Sequence, residues 1–182
     1  MINASKAGAT HPVWIYVRIA LLRAGPQDLP VSRQLLPVTA VACILLSLAL
    51  GTLLPSEADS GLFLVLFDSL LTLGWYWLVL RVARHPERFA QTTAAVFGFQ
   101  LVMAPLFALV SWLFLRNMND TTWQVPVSLL MLAVALWTLT VVGRILRAAT
   151  DWSMSMCVAL VFAQALASRS LALLLQPGGF AT

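Results

Sequence analysis

Along this chain apolar residues come in long unbroken runs, separated by short polar stretches. A helix needs about 20 predominantly apolar residues to cross roughly 30 Å of hydrocarbon. Five runs meet that length: 35–54, 61–80, 92–115, 123–143 and 152–175. None alternates with a period of two, which rules out the strands of a membrane barrel. In a water-free interior each segment must then satisfy its own backbone as a helix. The predicted fold is an all-α integral membrane protein, a bundle of five transmembrane helices over residues 34–176. A cytoplasmic segment, 1–33, precedes the bundle, and a short external tail, 177–182, follows it.

Within the leading segment, residues 12–24 read PVWIYVRIALLRA. This apolar stretch is interrupted by Arg18 and Arg23 and is too short to span. It has no small-residue cleavage site after a clean apolar core, so it is not a signal peptide. The expected structure is an amphipathic interfacial helix on the inner leaflet, with its arginines at headgroup level. The turn Gly25-Pro26-Gln27-Asp28-Leu29-Pro30 ends it.

Composition narrows the class. Hydrophobic residues make up 60% of the 182, charged ones only 10%, and mean hydropathy is +0.89. A soluble domain carries about 25% charged residues and cannot hide so much apolar surface. Disordered and nucleic-acid-binding chains need far more charge. The net charge of +4 therefore points to anionic lipid and not to nucleic acid. Cys43 and Cys157 both lie inside apolar runs with no CxxC or Cys/His cluster, so they read as small buried hydrophobes.

Charge also orients the bundle. Lys6, Arg18, Arg23 and Arg33 precede the first run; Arg81, Arg84 and Arg88 fill the second connection; Arg144 and Arg147 fill the fourth. The first connection carries Glu57 and Asp59 without a cation, and the third carries Arg116 opposite Asp120. Cationic loops stay cytoplasmic, so the N-terminus is expected inside and the C-terminus in the periplasm, across an inner membrane. Trp112 and Trp123 fit the outer interface, and Trp75, Trp77 and Trp152 the inner one. Trp137 lies deeper and is expected in the core.

Two ionisable residues interrupt the runs at membrane depth, Asp68 and Arg169. Each costs at least about 2.5 kcal/mol there unless it has a partner or a purpose. At a rise of 1.5 Å per residue both fall roughly 10 Å below the outer surface. Matched depth and opposite sign predict an intramembrane ion pair, Asp68–Arg169. Gln100, Gln164, Ser69, Thr72, Ser168 and Ser170 are expected to hydrogen-bond between helices. Cys43, Ser47 and Gly51, Ala94 and Gly98, and Ala163 and Ala167 form small-residue ladders that admit close helix approach. Pro105 is expected to bend its helix.

Catalytic patterns are absent. His11 and His85 stand alone, and no GxSxG, HExxH or phosphate-binding glycine loop occurs. No cofactor is implied. Order and local sequence do bring a likeness into view. The stretch Phe89-Ala90-Gln91-Thr92-Thr93-Ala94-Ala95-Val96-Phe97-Gly98 carries it first. Leu136-Trp137-Thr138-Leu139 and Ile145-Leu146-Arg147-Ala148, ahead of Ser153 and Ser155, continue it. Over spans three to five the chain resembles the Yip family (Ypt-interacting, five-span proteins) and its bacterial relatives. The resemblance implies membrane organisation without catalysis. The Asp-Leu-Tyr-Gly-Pro signature of eukaryotic members is missing, so no functional residue carries over.

The function expected from these features is a non-enzymatic scaffold or accessory subunit of the inner membrane. Its partners would be the bilayer and other membrane proteins or further copies of itself. Arg18, Arg23, Arg81, Arg84, Arg88, Arg144 and Arg147 would form its cytoplasmic surface. The alternative is a small transporter or channel subunit with Asp68, Arg169, Gln100 and Gln164 along a polar path.

Overall fold

The computed structural model of the chain describes residues 12–29, 34–52, 61–117 and 120–175. The acidic first connection with Glu57 and Asp59, the residues Lys6, His11 and Arg33, and the tail 177–182 lie outside the described residues. Among the described residues six α-helices follow one another: α1 Pro12–Ala20, α2 Leu35–Gly51, α3 Gly61–Val82, α4 Phe89–Arg116, α5 Thr121–Thr150 and α6 Met154–Leu175. No strand occurs among the described residues. Helices α3 to α6 are each long and apolar enough to cross a membrane. Helix α2 is apolar throughout but shorter, at 17 residues, the lower end of what spans a bilayer. The fold is an all-α bundle in which four helices have the length and apolar character of membrane spans.

Two helices reach well beyond the apolar runs that predict them. Helix α4 starts at Phe89, and α5 continues past Gly143 to Thr150, carrying Arg144 and Arg147 on helical turns instead of a loop. The continuation has a packing cause. Ile145, Leu146, Ala149 and Thr150 are buried, so the apolar face of α5 persists beneath its arginines. At 28 and 30 residues, α4 and α5 are about 42 and 45 Å long. That exceeds the roughly 30 Å hydrocarbon slab by more than two turns.

Three helices end on residues in left-handed conformation that are not glycine: Leu22 after α1, Arg84 after α3 and Asp151 after α5. At α1 the Arg23 amide donates to the Arg18 carbonyl and the Leu22 amide to that of Ile19. At α3 the His85 amide donates to Leu80 and the Arg84 amide to Arg81. Both patterns are Schellman closures, which satisfy the orphan carbonyls of a helix end. Asp151 closes α5 with a single bond to the Arg147 carbonyl. At the other end of α5, the Asp120 carboxylate caps the helix by accepting the Thr122 N–H at 2.9 Å.

Helix α4 is the centre of the bundle, packing against α1, α2, α3 and α5, while α6 leans on α5 and α3. Residues Thr92–Phe99 of α4 are buried all round, as a core helix requires. Tyr76 and Leu80 of α3, Val141 and Leu146 of α5 and Cys157 of α6 complete the tight half of the core. That half lies at the ends that carry the arginine-rich connections. Helix α1 joins it: Tyr16, Ile19 and Ala20 are buried, whereas Trp14 and Arg18 face outward. The amphipathic helix is thus docked on α4 instead of resting on lipid alone. Gly98 admits it, because a β-carbon there would fall within the Tyr16 ring. The Ala94–Gly98 ladder therefore seats α1 at its Gly98 end. Gly143 plays the comparable role for α6, with Val158 Cγ2 only 2.8 Å from where its β-carbon would stand.

Candidate functional site

On their inward sides α3 and α6 present matching polar stripes. Val65, Asp68, Ser69, Thr72 and Tyr76 on α3 recur at three- and four-residue steps, as do Val161, Gln164, Ala165, Ser168, Arg169 and Ala172 on α6. Such steps place side chains on one helix face. The helices run antiparallel, and two bonds set their register. Ser168 Oγ donates to the Asp68 carboxylate, and four residues away on each helix Gln164 Nε2 donates to Thr72 Oγ1 at 3.2 Å. These stripes, with Cys43 and Ser47 of α2, Gln100 of α4 and Thr138 of α5, line a cavity of about 740 Å³.

All four residues of the polar path expected from the sequence, Asp68, Arg169, Gln100 and Gln164, line this one cavity. The ion pair is a different matter. Among the described residues no salt bridge joins Asp68 to Arg169; the Asp68 carboxylate accepts from Ser168, and Arg169 has no hydrogen-bonding partner. Both charged side chains are exposed on the lining, whereas Cys43, Thr72, Tyr76, Val96, Val142 and Val161 are its buried floor. Gln100 Oε1 accepts weakly from Cys43 Sγ at 3.7 Å. Ser69 and Thr138 turn back to carbonyls of their own helices at 2.8 and 2.9 Å. Tyr76, which is 1% exposed, buries its hydroxyl with no partner among the described residues. A buried polar group left unmatched costs roughly 1–3 kcal/mol. Neither Tyr76 nor Thr138 stands out in the sequence, although their places on the stripes at residues 72 and 134 give the signal that finds them.

The arginine surface divides into three groups. Arg88 turns inward: its Nη1 donates to the carbonyls of Ala148 and Ala149 at 3.3 and 3.1 Å and to Asp151 Oδ2 at 3.0 Å. It thereby caps the end of α5 while its side chain stays 39% exposed. His85 joins the cluster, with Nδ1 3.2 Å from Glu87 and Nε2 3.7 Å from Asp151. Arg144 is exposed and reaches the Leu22 carbonyl at 3.4 Å, and Arg81 lies 4.9 Å over the Trp77 ring. Arg18, Arg23, Arg84 and Arg147 remain exposed. The Glu87 carboxyl is held below its usual range by its own backbone N–H and by His85.

Trp112, Trp123 and Trp77 are exposed, as residues at a lipid interface are expected to be. Trp137 is 41% exposed, so the core placement expected for it is corrected: it stands on the bundle surface, where α5 turns toward α1. Among the described residues no three His, Cys, Asp or Glu side chains gather as metal ligands would. No protein-family model, curated protein or solved structure matches this chain.

Proposed function

We propose that the chain crosses the bilayer five times, N-terminus cytoplasmic and C-terminus periplasmic, and admits a small polar solute into the cavity between α3 and α6. On this reading it is a small carrier or channel subunit, which reverses the order the sequence suggests. The observation that carries the reading is that Asp68 and Arg169, opposite in charge, line one cavity without satisfying each other. Two uncompensated charges at membrane depth are tolerable where they face water or a solute. Gln100 and Gln164 supply further hydrogen-bonding groups along the same wall. The test is solute flux in reconstituted vesicles. Flux is expected to fall sharply with Asp68→Asn and with Arg169→Gln while the protein still inserts, and unchanged flux in both variants overturns the reading.

A scaffold role is the second reading. It is favoured by Arg18, Arg23, Arg84 and Arg147, exposed on the arginine-rich side, and it accords with the resemblance to the Yip family. Stable co-purification of a second membrane polypeptide, lost when these four arginines become glutamine and indifferent to Asp68→Asn, would favour it over conduction.

A further inference from the structure

Two hollows lie along one stripe of α5. The first, about 410 Å³, is lined almost wholly by carbon: Val17 and Ala20 of α1, Leu21 just after it, and Ala133, Val134 and Trp137 of α5 are among its walls. The second, about 310 Å³, continues the stripe through Val141 and Arg144 and is closed by Leu22, Arg23 and the turn that follows α1. Residues 134, 137, 141 and 144 succeed one another at three- and four-residue steps, so the apolar and the cationic hollow lie along a single face of α5.

We propose that the two hollows act as one groove that binds a single anionic phospholipid, its acyl chain against Val134 and Trp137 and its phosphate between Arg23 and Arg144. Charge complementarity selects the occupant. The groove is carbon-walled at one end and bears two guanidinium groups at the other. The one carboxylate in the cationic hollow, Asp28, is engaged by the Gly25 N–H at 2.9 Å. Depth agrees. Arg144 lies seven residues, about 10 Å, beyond Trp137 on the axis of α5. Helix α5 also outruns the hydrocarbon by more than two turns, so its last turns, Arg144 included, reach the headgroup layer. The docking of α1 builds the site, since α1 and the turn after it supply one wall of both hollows.

The experiment measures thermal unfolding and bound lipid, by native mass spectrometry, for the full chain purified in detergent. Phosphatidylglycerol, phosphatidylcholine or inorganic phosphate is added. Phosphatidylglycerol is expected to raise the unfolding midpoint and to be retained roughly tenfold or more over phosphatidylcholine, whose choline cation cancels the phosphate charge that two arginines would otherwise favour. Arg23→Gln with Arg144→Gln should abolish the preference, and Ala133→Phe, which fills the apolar hollow, should lower retention of both lipids. Arg144→Lys, which keeps the charge and serves if the double variant does not fold, should retain most of the preference. Asp68→Asn should leave lipid retention unchanged, which separates this proposal from the one for the cavity. Equal retention of the two lipids overturns the proposal, as does a preference that survives the double variant. Stabilisation by inorganic phosphate equal to that by phosphatidylglycerol would also overturn it, since the apolar hollow would then take no part.

Discussion

The ring of Tyr16 occupies the space that a β-carbon on Gly98 would need, so α1 touches the backbone of α4 at that point. Any side chain at 98 must push the ring, and with it α1, away from the bundle. Overpacking of a fitted contact costs typically 1–3 kcal/mol. Gly98→Ala is therefore expected to loosen α1, read as faster proteolysis near residue 20 and a lower unfolding midpoint. Combining it with Tyr16→Ala should recover part of the loss, because the smaller residue vacates the clashing space. Additive losses in that double-mutant cycle would show that the two residues do not meet.

Arg88 spans 60 to 63 residues of sequence to reach Ala148, Ala149 and Asp151. Removing it strips the last turn of α5 of its donor. Exposed ion pairs contribute little, but carbonyls left without a donor cost more. Arg88→Ala should lower stability by about 1–2 kcal/mol, measured as unfolding in detergent. Asp151→Asn should cost less than half of that, since the two carbonyl bonds persist.

Glu87 predicts a pH dependence. Its backbone N–H, then His85, hold the carboxyl below its ordinary value of 4.5, so the folded state favours the ionised form. A lowered folded value stabilises above the unfolded one and is lost as pH falls through the folded value. Acidification from neutral pH should therefore weaken the cluster only below 4.5, and Glu87→Gln should flatten the pH profile of unfolding there. A profile that the substitution leaves unaltered contradicts this assignment.

The apolar runs were legible because length and continuity alone decide whether a segment can cross hydrocarbon. The polar lining was partly legible for a related reason: Gln100, Gln164 and Thr72 inside such runs must face protein or water. Depth arithmetic brought Asp68 and Arg169 to one level, but contact also depends on how each helix is rotated. It is Ser168, one residue away on α6, that reaches the carboxylate. Arg88 was illegible as a cap, since its acceptors lie some 60 residues on and leave no local pattern. Arg144 and Arg147 looked like a loop because charge interrupts hydropathy, although the buried face beneath them continues. Gly98 announced a close approach without saying which helix would make it.

Arg84 holds a left-handed conformation at φ 62° while exposed. A side chain there carries a strain that glycine avoids, roughly 1 kcal/mol. Arg84→Gly should therefore raise the unfolding midpoint, because the Schellman bonds of Arg84 and His85 are backbone bonds and survive. Leu22→Gly, at φ 60° but half-buried, should gain less, since it also gives up packing.

Tyr76 separates stability from function at the cavity. Its hydroxyl is buried without a partner among the described residues, so Tyr76→Phe removes an unmatched polar group and keeps the ring that fills the floor. If the hydroxyl were only a packing accident, the substitution would stabilise the chain by roughly 1 kcal/mol or more and leave flux untouched. On the carrier reading the buried floor opens as a solute enters and the hydroxyl then acquires a partner, so the same substitution should stabilise the empty protein and weaken solute binding. Unfolding midpoint and half-saturating solute concentration, measured on one preparation, should move in those opposite senses. Thr72→Val is the companion variant: it strands the Gln164 amide, so it should lower both stability and binding together.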